Sequence, residues 1–452
     1  MNGFIQVKNT IKGIFNRLIN KDFSGDSGTI VKNGAYQFSN NLVAKAGSLI
    51  FTIIIARLLM PELFGLYNLA LSTILIFSTL SEIGIGETLV RYVSRELGKN
   101  NKKRARSYSV YLAKIKLCLL SVSIILLLTF SKFLAQTYYQ KPIFLALIAG
   151  AFYLLFVNIL GFLQFFLQAS DYFKGVFYKE IILQISRIIF VPLAVVLSIK
   201  FFPSSELILF FTIFFLGFSY FLAAIFMIGV IYRKVDFIRE EPRNLTLLQK
   251  KSINKFLIIV SSTALSGVFF SYVDRIMLGH FVPGEFIGYY SAAIGLIGAA
   301  IPLVGFSAIV LLPVFSRLKK DKLKEGLKKS RKVVTLMSGS VFIIAIILAP
   351  FLVNIVYGAA YAPAGNILRL LSIILLTIPL NSLNQAYIIS KGQPQKIARL
   401  LVSATILNII LNYILISFLL SYGNLIAVYG AGISTIISQF FYLIGLTIVN
   451  KK

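Results

Sequence analysis

The chain has 452 residues, of which 58% are hydrophobic and only 13% are charged, with 45 Lys and Arg against 16 Asp and Glu. Soluble domains contain about 45–50% apolar residues, so this composition excludes an ordinary soluble globular protein. The formal net charge of +29 would indicate nucleic-acid binding in a soluble protein, so its distribution along the chain decides what it means.

The first segment, residues 1–33, has apolar residues at helical spacing from Phe4 to Ile19, with Lys8, Lys12 and Arg17 on the opposite side. This pattern predicts a cytoplasmic amphipathic helix that lies on the anionic inner surface of a membrane, rather than a cleavable signal peptide. We expect it to anchor the chain without contacting a substrate.

Apolar runs of membrane-spanning length then follow one another to the end of the chain. About 20 mostly apolar residues cross about 30 Å of hydrocarbon. This criterion predicts an all-α polytopic membrane protein with about twelve transmembrane helices. The predicted spans run near residues 35–58, 66–90, 108–131, 142–168, 176–199, 206–231, 253–279, 287–314, 333–356, 365–389, 397–420 and 425–448.

Lys and Arg are concentrated before the first span, in every even-numbered connection and at the chain end. The odd-numbered connections carry few basic residues, namely Lys132, Lys141, Lys200 and His280. By the positive-inside rule, both termini and the even-numbered loops are predicted to lie in the cytoplasm, with the protein in the cytoplasmic membrane. The lipid bilayer is therefore the expected partner of the basic residues, and nucleic acid is not.

The chain also contains an internal repeat. The stretch Pro61–Tyr67 returns as Pro283–Tyr289, at an offset near 222. Six spans in each half predict an N-terminal bundle of residues 34–232 and a C-terminal bundle of residues 253–452, joined by a basic cytoplasmic linker of residues 233–252. Two bundles with an even number of spans are related by an axis along the membrane normal, and such transporters hold their substrate between the halves.

Charged residues within the spans indicate where that site lies, since a charge at a helix centre costs roughly 2.5–3.5 kcal/mol by insertion scales. These residues are predicted to line a hydrated central cavity with a positive balance, which suits phosphate or carboxylate. The candidates are Gln37, Asn41, Lys45, Arg57, Glu180, Gln184, Arg187, Asp274, Arg275 and Arg369. Their helix faces are extended by Ser48, Thr52, Thr263, Ser266, Ser372, Asn408 and Asn412.

Structural roles compete with substrate contact at several of these positions. Arg57, near the outer end of its span, is as consistent with snorkelling to the headgroups as with facing the cavity. Asp274 and Arg275 are as consistent with neutralising each other between helices. Lys45 and Arg187 lie deeper and have no nearby partner in sequence, which favours substrate contact for these two.

Enzyme motifs are absent from the sequence. There is no Gly-rich nucleotide loop and no Cys/His cluster for a metal, and the single His280 cannot complete a catalytic triad. Neither an enzyme nor a cofactor is expected, so the energy for transport would come from an ion gradient, the membrane potential or consumption of the product outside.

The segments Ala56–Tyr67, Asp274–Gly279 and Leu407–Asn412, followed by Gly430-Ala431-Gly432, resemble the polysaccharide biosynthesis (Wzx-type) flippases of the multidrug/oligosaccharidyl-lipid/polysaccharide (MOP) exporter superfamily. This resemblance covers nearly the whole chain after Gly34. It implies a V-shaped flippase that moves a lipid-linked (polyprenyl-pyrophosphate) oligosaccharide by alternating access, with cavity Arg and Lys residues contacting the pyrophosphate or acidic sugars. H⁺ or Na⁺ as a coupling ion and other glycan-assembly membrane proteins are the further partners expected.

Three other functions stay open from the sequence. A multidrug or cation exporter of the same superfamily would be expected to have a cavity rich in carboxylates and aromatic residues. A lipid II-type flippase would share the mechanism. A membrane polymerase or glycosyltransferase would be expected to have a large outer loop or a catalytic acidic motif, and neither is found here.

Overall fold

The computed structural model describes residues 25–317 and 320–451, without the side chains of residues 25–27, 30, 259–260, 262–266, 302–317, 320–324 and 451. Most of the predicted amphipathic segment 1–33 therefore lies outside the described residues, as do the side chains of Thr263 and Ser266.

Within the described ranges the chain is helical and contains no strand. The helices are α1 (Gly25–Glu82), α2 (Ile85–Leu97), α3 (Lys102–Lys132), α4 (Phe144–Ala169), α5 (Phe173–Phe201), α6 (Ser205–Lys234), α7 (Leu247–Phe281), α8 (Gly284–Arg317), α9 (Lys320–Tyr357), α10 (Ala364–Leu371), α11 (Ile374–Ser390), α12 (Pro394–Leu420) and α13 (Asn424–Lys451). Short helical turns at Phe133–Tyr138, Asp236–Arg239 and Ala359–Tyr361 continue or link them.

Helix α1 contains two membrane crossings, because it bends sharply at Met60. Met60 has φ 57° and ψ 170°, and Pro61, which follows, has no N–H to continue the helical hydrogen bonds. Residues 25–59 form the first arm and residues 61–82 the second arm. The second arm continues into α2 after a break at Gly84, whose φ of 57° lies in the left-handed region that favours glycine.

Ten helical segments in the described part of the chain are long and apolar enough to cross a membrane. The first of them, Val31–Leu97, includes both arms of α1 and therefore crosses twice. Helix α7, with 35 residues, also exceeds the length that a crossing needs. The prediction of about twelve transmembrane helices is confirmed.

Large apolar side chains cover the outer faces of α3, α5, α9 and α12. Ile125, Ile189, Ile347 and Phe418 are each more than half exposed. A soluble protein rarely exposes so many apolar side chains on contiguous faces, whereas these residues would contact lipid tails in a bilayer.

The helices pack as two bundles, α1–α6 and α7–α13. In the N-terminal bundle α6 packs on α4 and α5, and α1 packs on α5; in the C-terminal bundle α13 packs on α12, α11 on α8, and α12 on α7. The bundles meet where α1 contacts α7 and α8. The predicted linker 233–252 contains the end of α6, a short helical turn and the start of α7, and its boundaries stay a prediction.

The two ends of the molecule differ in how the bundles meet. We call the end that carries the Lys- and Arg-rich connections the basic end. At the opposite end the repeated motifs pack backbone to backbone: a Cβ on Gly65 would overlap the Gly284 carbonyl oxygen, and one on Gly288 would overlap that of Pro61. The Tyr361 hydroxyl also donates to the Ala56 carbonyl over 2.7 Å.

At the basic end the bundles meet through side chains. The Tyr92 hydroxyl lies 3.0 Å from Ser252 Oγ, and the Tyr111 hydroxyl donates to Asn254 Oδ1 over 3.1 Å. Side-chain contacts separate more easily than interlocked backbones, so the basic end is the more readily opened in this conformation.

Candidate functional site

A cavity of about 160 Å³ lies inside the N-terminal bundle, between both arms of α1 and helices α4, α5 and α6. Arg187 of α5 supplies its positive charge, and Tyr67, Tyr153, Tyr220 and Asn68 supply neutral polar groups. Its other walls are mostly apolar. We call this space the Arg187 cavity.

Arg187 is buried, with 8% of its surface exposed. Its guanidinium carbon lies 4.8 Å from the centre of the Phe51 ring, while Nε and Nη2 have no hydrogen-bond partner among the described residues. None of the ion pairs found in that part of the chain includes it. A buried, unpaired guanidinium is costly unless a ligand completes it, so this residue is suited to an anion.

The tyrosines around Arg187 add hydroxyl groups that can donate hydrogen bonds to the same anion. Tyr67 and Tyr153 are 4% and 5% exposed, and the rings of Tyr153 and Tyr220 meet edge to face with centroids 5.3 Å apart. Phosphate offers several acceptor oxygens, and Arg can bind two of them at once. One cation surrounded by neutral donors therefore matches a phosphate or carboxylate.

The predicted polar face of the first arm leads into this cavity from the basic end. Ser48 and Thr52 line the cavity. Lys45, one turn nearer the basic end, is exposed, and the Gln37 amide donates to Asn41 Oδ1 over 3.3 Å two turns before it. Gln37, Asn41 and Lys45 thus lie on the face of the first arm that continues from Ser48 and Thr52 towards the basic end, and their contact with a substrate stays a prediction.

Glu180 and Gln184 are placed elsewhere, although they share a helix face with Arg187. Lys179 Nζ lies 2.7 Å from Glu180 Oε2, with both side chains under 10% exposed, and also donates to Gln164 Oε1 over 2.8 Å. Gln184 donates to the other carboxylate oxygen of Glu180. Glu180 and Gln184 are predicted to line the cavity, but in the structure they do not line the Arg187 cavity. The ion pair with Lys179 holds the Glu180 carboxylate inside the bundle instead.

Asp274 lies inside the C-terminal bundle, where helices α7, α8, α12 and α13 meet. Its carboxylate accepts hydrogen bonds from the Tyr290 hydroxyl at 2.5 Å, the Thr435 hydroxyl at 2.5 Å and the Asn412 amide at 2.8 Å. Asn408 donates to Thr435 over 3.3 Å. The amide oxygens of Asn408 and Asn412 are buried without a partner among the described residues. We call these five residues the Asp274 cluster.

Arg275 makes no hydrogen bond to the Asp274 cluster, although it follows Asp274 directly in the chain. Its guanidinium carbon lies 6.0 Å from the centre of the Tyr272 ring, and its Nε has no partner in the described part of the chain. Arg275 and Asp274 therefore form no direct ion pair, because successive helix residues project about 100° apart and the carboxylate accepts its hydrogen bonds from Tyr290, Thr435 and Asn412.

Arg57 and Arg369 do not line the Arg187 cavity either. Arg57 donates to the backbone carbonyls of Ile355 and Val356 at the end of α9, and so connects the two bundles opposite the basic end. Arg369 donates to Asn366 Oδ1 over 3.1 Å and to the Ile346 carbonyl over 3.3 Å, with its side chain exposed. The Ile355 and Val356 carbonyls lie in the last turn of α9, where they have no helical partner, and the Ile346 carbonyl is free because Pro350, four residues on, has no N–H to donate to it.

Another buried cation, Lys116 of α3, is not among the residues that the sequence singles out. Its Nζ lies 3.0 Å from Glu82 Oε1, 2.8 Å from Asn158 Oδ1 and 2.9 Å from the Ser81 carbonyl. It therefore holds the break between α1 and α2, where carbonyls lose their helical partners. A lysine inside the apolar run of α3 was a signal that could have revealed it. Tyr153 and Tyr220, also missed, are hydroxyl-bearing residues within apolar runs.

Several solved structures share this fold at low sequence identity. A structure of the lipid II flippase MurJ in an inward closed conformation has a TM-score of 0.69 at 15% identity, covering 91% of this chain and 87% of that chain. An inward-facing multidrug resistance MATE family transporter of the MOP superfamily has a TM-score of 0.67 at 14% identity, covering 92% and 94%.

The third structure is a MOP superfamily transporter from Pyrococcus furiosus, described as having a binding pocket of reverse polarity. It has a TM-score of 0.61 at 15% identity and covers 95% of this chain and 97% of that chain. At these identities the likeness shows the fold.

Sequence comparison gives the family. A search of curated protein sequences gives no match. The family model of polysaccharide biosynthesis proteins matches residues 30–319, well over half of the chain. This multi-pass membrane protein, with the two-bundle fold of the MOP superfamily transporters, therefore belongs to the polysaccharide biosynthesis protein family.

Proposed function

We propose that this protein is a flippase that moves a lipid-linked anionic oligosaccharide, joined to a polyprenyl carrier by pyrophosphate, across the cytoplasmic membrane. The observation that carries the proposal is the unpaired, buried guanidinium of Arg187, which faces a cavity inside a membrane-spanning bundle of the described chain. An intramembrane charge without a protein partner is a functional feature by default.

The Arg187 cavity suits the pyrophosphate of such a substrate. Its volume of about 160 Å³ corresponds to about five waters at about 30 Å³ each, which is room for at least one phosphate group of the pyrophosphate. Arg187 would bind the phosphate oxygens, and the hydroxyl groups of Tyr67, Tyr153 and Tyr220 would complete their hydrogen bonding. Exposed Lys45 would attract the headgroup along the first arm of α1.

Alternating access is the movement that this role requires. The bundles interlock through Gly65, Gly284 and Gly288 at the end opposite the basic end, while side chains join them at the basic end. With the basic end in the cytoplasm, as the charge distribution predicts, this conformation is the one that would receive substrate from the inner leaflet.

We assign ion coupling to the Asp274 cluster. It offers one carboxylate, two buried amide oxygens without partners among the described residues and two hydroxyl groups, and oxygen atoms are the ligands that Na⁺ prefers. Proton binding at the carboxylate is the alternative. Either ion would neutralise a charge buried where α7 and α8, the helices that contact α1, also meet α12 and α13.

A cation exporter of the same superfamily is the second candidate, favoured by the buried carboxylate of Asp274 and by the shared fold. It is disfavoured by the Arg187 cavity, which would repel a cationic drug. A lipid II-type flippase is a variant of the main proposal with a different glycan, and Arg187 would bind its pyrophosphate in the same way.

Translocation of a fluorescent polyprenyl-pyrophosphate saccharide in proteoliposomes tests the proposal. We expect flipping by the wild-type protein, a tenfold to hundredfold slower rate in Arg187→Ala, and an unchanged rate in Arg369→Ala, the matched control outside the cavity. Transport of an organic cation, with no flipping of the saccharide carrier, would move the assignment to the exporter.

A further inference from the structure

A second cleft, also of about 160 Å³, lies in the C-terminal bundle between α7, α11, α12 and α13. Its α11 wall presents Asn381, Ser382 and Gln385, which share a helix face, and α13 adds Gln439 and Tyr442 one turn apart. Phe270 of α7 supplies an aromatic surface. We call this space the amide cleft.

The amide cleft differs in chemistry from the Arg187 cavity because none of the described residues that line it is charged. Asn381 donates to Gln439 Oε1 over 2.8 Å, which fixes both amides. Asn381 Oδ1 and the Tyr442 hydroxyl are nevertheless buried without a hydrogen-bond partner in the described part of the chain, and both residues are under 5% exposed. Buried polar atoms that lack partners mark a place where a polar ligand completes the hydrogen bonding.

We propose that the amide cleft is a subsite for a neutral sugar of the transported molecule. Amide and hydroxyl groups both donate and accept hydrogen bonds, which matches the hydroxyl groups of a sugar ring. Aromatic rings at Phe270 and Tyr442 offer flat apolar surfaces for the C–H face of the ring. An anionic sugar would find no cation among the described lining residues, and a hydrocarbon tail would leave the polar atoms unpaired.

The position of the amide cleft relative to Arg187 also fits one elongated ligand. Asn381 and Tyr442 each lie nine residues from the basic end of their helices, about 14 Å at the helical rise, whereas Arg187 lies fourteen residues, about 21 Å, from that end. A carrier with pyrophosphate at Arg187 and its glycan directed towards the basic end would bring its sugars to the level of the amide cleft. This inference rests on the proposed function.

Binding to the purified full-length protein in nanodiscs tests the inference, with two probes. One is farnesyl pyrophosphate, and the other is farnesyl pyrophosphate linked to one N-acetylglucosamine. We expect the sugar-bearing probe to bind at least tenfold more tightly than the sugar-free probe. Gln385→Leu and Tyr442→Phe should each reduce this ratio about threefold to tenfold without weakening the sugar-free probe, because each removes hydrogen bonds to the sugar alone.

Two further variants distinguish a sugar subsite from a general loss of binding. Gln393→Leu, the same substitution at an exposed loop position, should leave the ratio unchanged. Arg187→Ala should weaken both probes equally. An unchanged ratio in Gln385→Leu and Tyr442→Phe, or an equal loss of both probes, would overturn the sugar subsite while leaving the flippase proposal in place.

Failure of the proposed function has a different signature, namely that neither probe binds to the wild-type protein. Sugar binding to the amide cleft is then measured with free di-N-acetylchitobiose and the tryptophan fluorescence of a Phe270→Trp variant. The signal comes from this position alone because the chain has no other tryptophan. A fluorescence change that Gln385→Leu abolishes would support a sugar site, and no change would refute it.

Discussion

Buried charges in this protein divide into those that are paired and those that are not. Lys179 with Glu180, and Lys116 with Glu82, have partners within 3.0 Å and further hydrogen bonds. Arg187 has no such partner among the described residues. A buried pair is consistent with a structural role, whereas an unpaired cation deep in a membrane-spanning bundle costs stability, which supports the ligand role proposed for Arg187.

Stability measurements should separate these two kinds of charge. Lys179→Met leaves the buried Glu180 carboxylate without its cation, with only the Gln184 amide bonded to it, so we expect a loss of about 3–5 kcal/mol in unfolding free energy. Arg187→Met removes a charge that has no partner in the described part of the chain, so the melting temperature should stay equal or rise. Thermal unfolding of both variants in the same detergent checks this, and a large destabilisation by Arg187→Met alone would point to a structural role for Arg187.

The proposed coupling of transport to an ion can also be tested at single residues of the Asp274 cluster. We expect Asp274→Asn to remove the dependence of transport on a Na⁺ or proton gradient, because the neutral amide cannot bind the ion by charge. Asn412→Ala should weaken that dependence in the same direction. Flipping assays with the gradient imposed and abolished measure it, with Glu285→Gln as the control carboxylate outside the Asp274 cluster. A gradient response kept by Asp274→Asn would exclude the assignment.

At the scale of elements, the repeated motif accounts for the closure of one end. Its two copies, at Pro61–Tyr67 and Pro283–Tyr289, place Gly65 against the Gly284 carbonyl and Gly288 against that of Pro61. Only residues without a Cβ allow two helix backbones to approach this closely. The repeated motif therefore also holds the two bundles together at the end opposite the basic end.

Gly65→Ala should disrupt the close contact between the bundles at this end, since the added methyl group would overlap backbone atoms of Gly284. We expect the population to shift towards conformations open opposite the basic end, with faster labelling of a cysteine at Asn68 by an impermeant reagent applied from that side. Gly229→Ala, where a Cβ meets nothing within 4 Å, is the matched control. Equal labelling of both variants would mean that the motif does not hold this end closed.

Sequence patterns predicted the elements better than the side-chain directions. Span positions follow from hydropathy, which is a property of consecutive residues, and the repeat was visible in short motifs. The direction of Glu180 was not predictable from the sequence, because the ion pair that Lys179 forms with it depends on how Lys179 is held by Gln164 of α4. Thr435, which completes the surroundings of Asp274, is 161 residues away in sequence.

At the scale of the whole molecule, the proposal is that the Arg187 cavity in one bundle works together with the Asp274 cluster and the amide cleft in the other. The N-terminal bundle would hold the pyrophosphate, and the C-terminal bundle would respond to the ion and hold a sugar. Movement of the bundles about their interlocked contacts would then carry the headgroup from one side to the other.

The most direct test of this mechanism is protection of a cysteine in the Arg187 cavity. Ser48→Cys, in a Cys118→Ser background that removes the exposed native thiol, places one reactive group in the cavity lining. The mechanism predicts labelling by an impermeant thiol reagent from the basic side, protection by polyprenyl pyrophosphate, and loss of that protection in Arg187→Ala. Labelling that polyprenyl pyrophosphate does not slow, or protection that persists without Arg187, would contradict it.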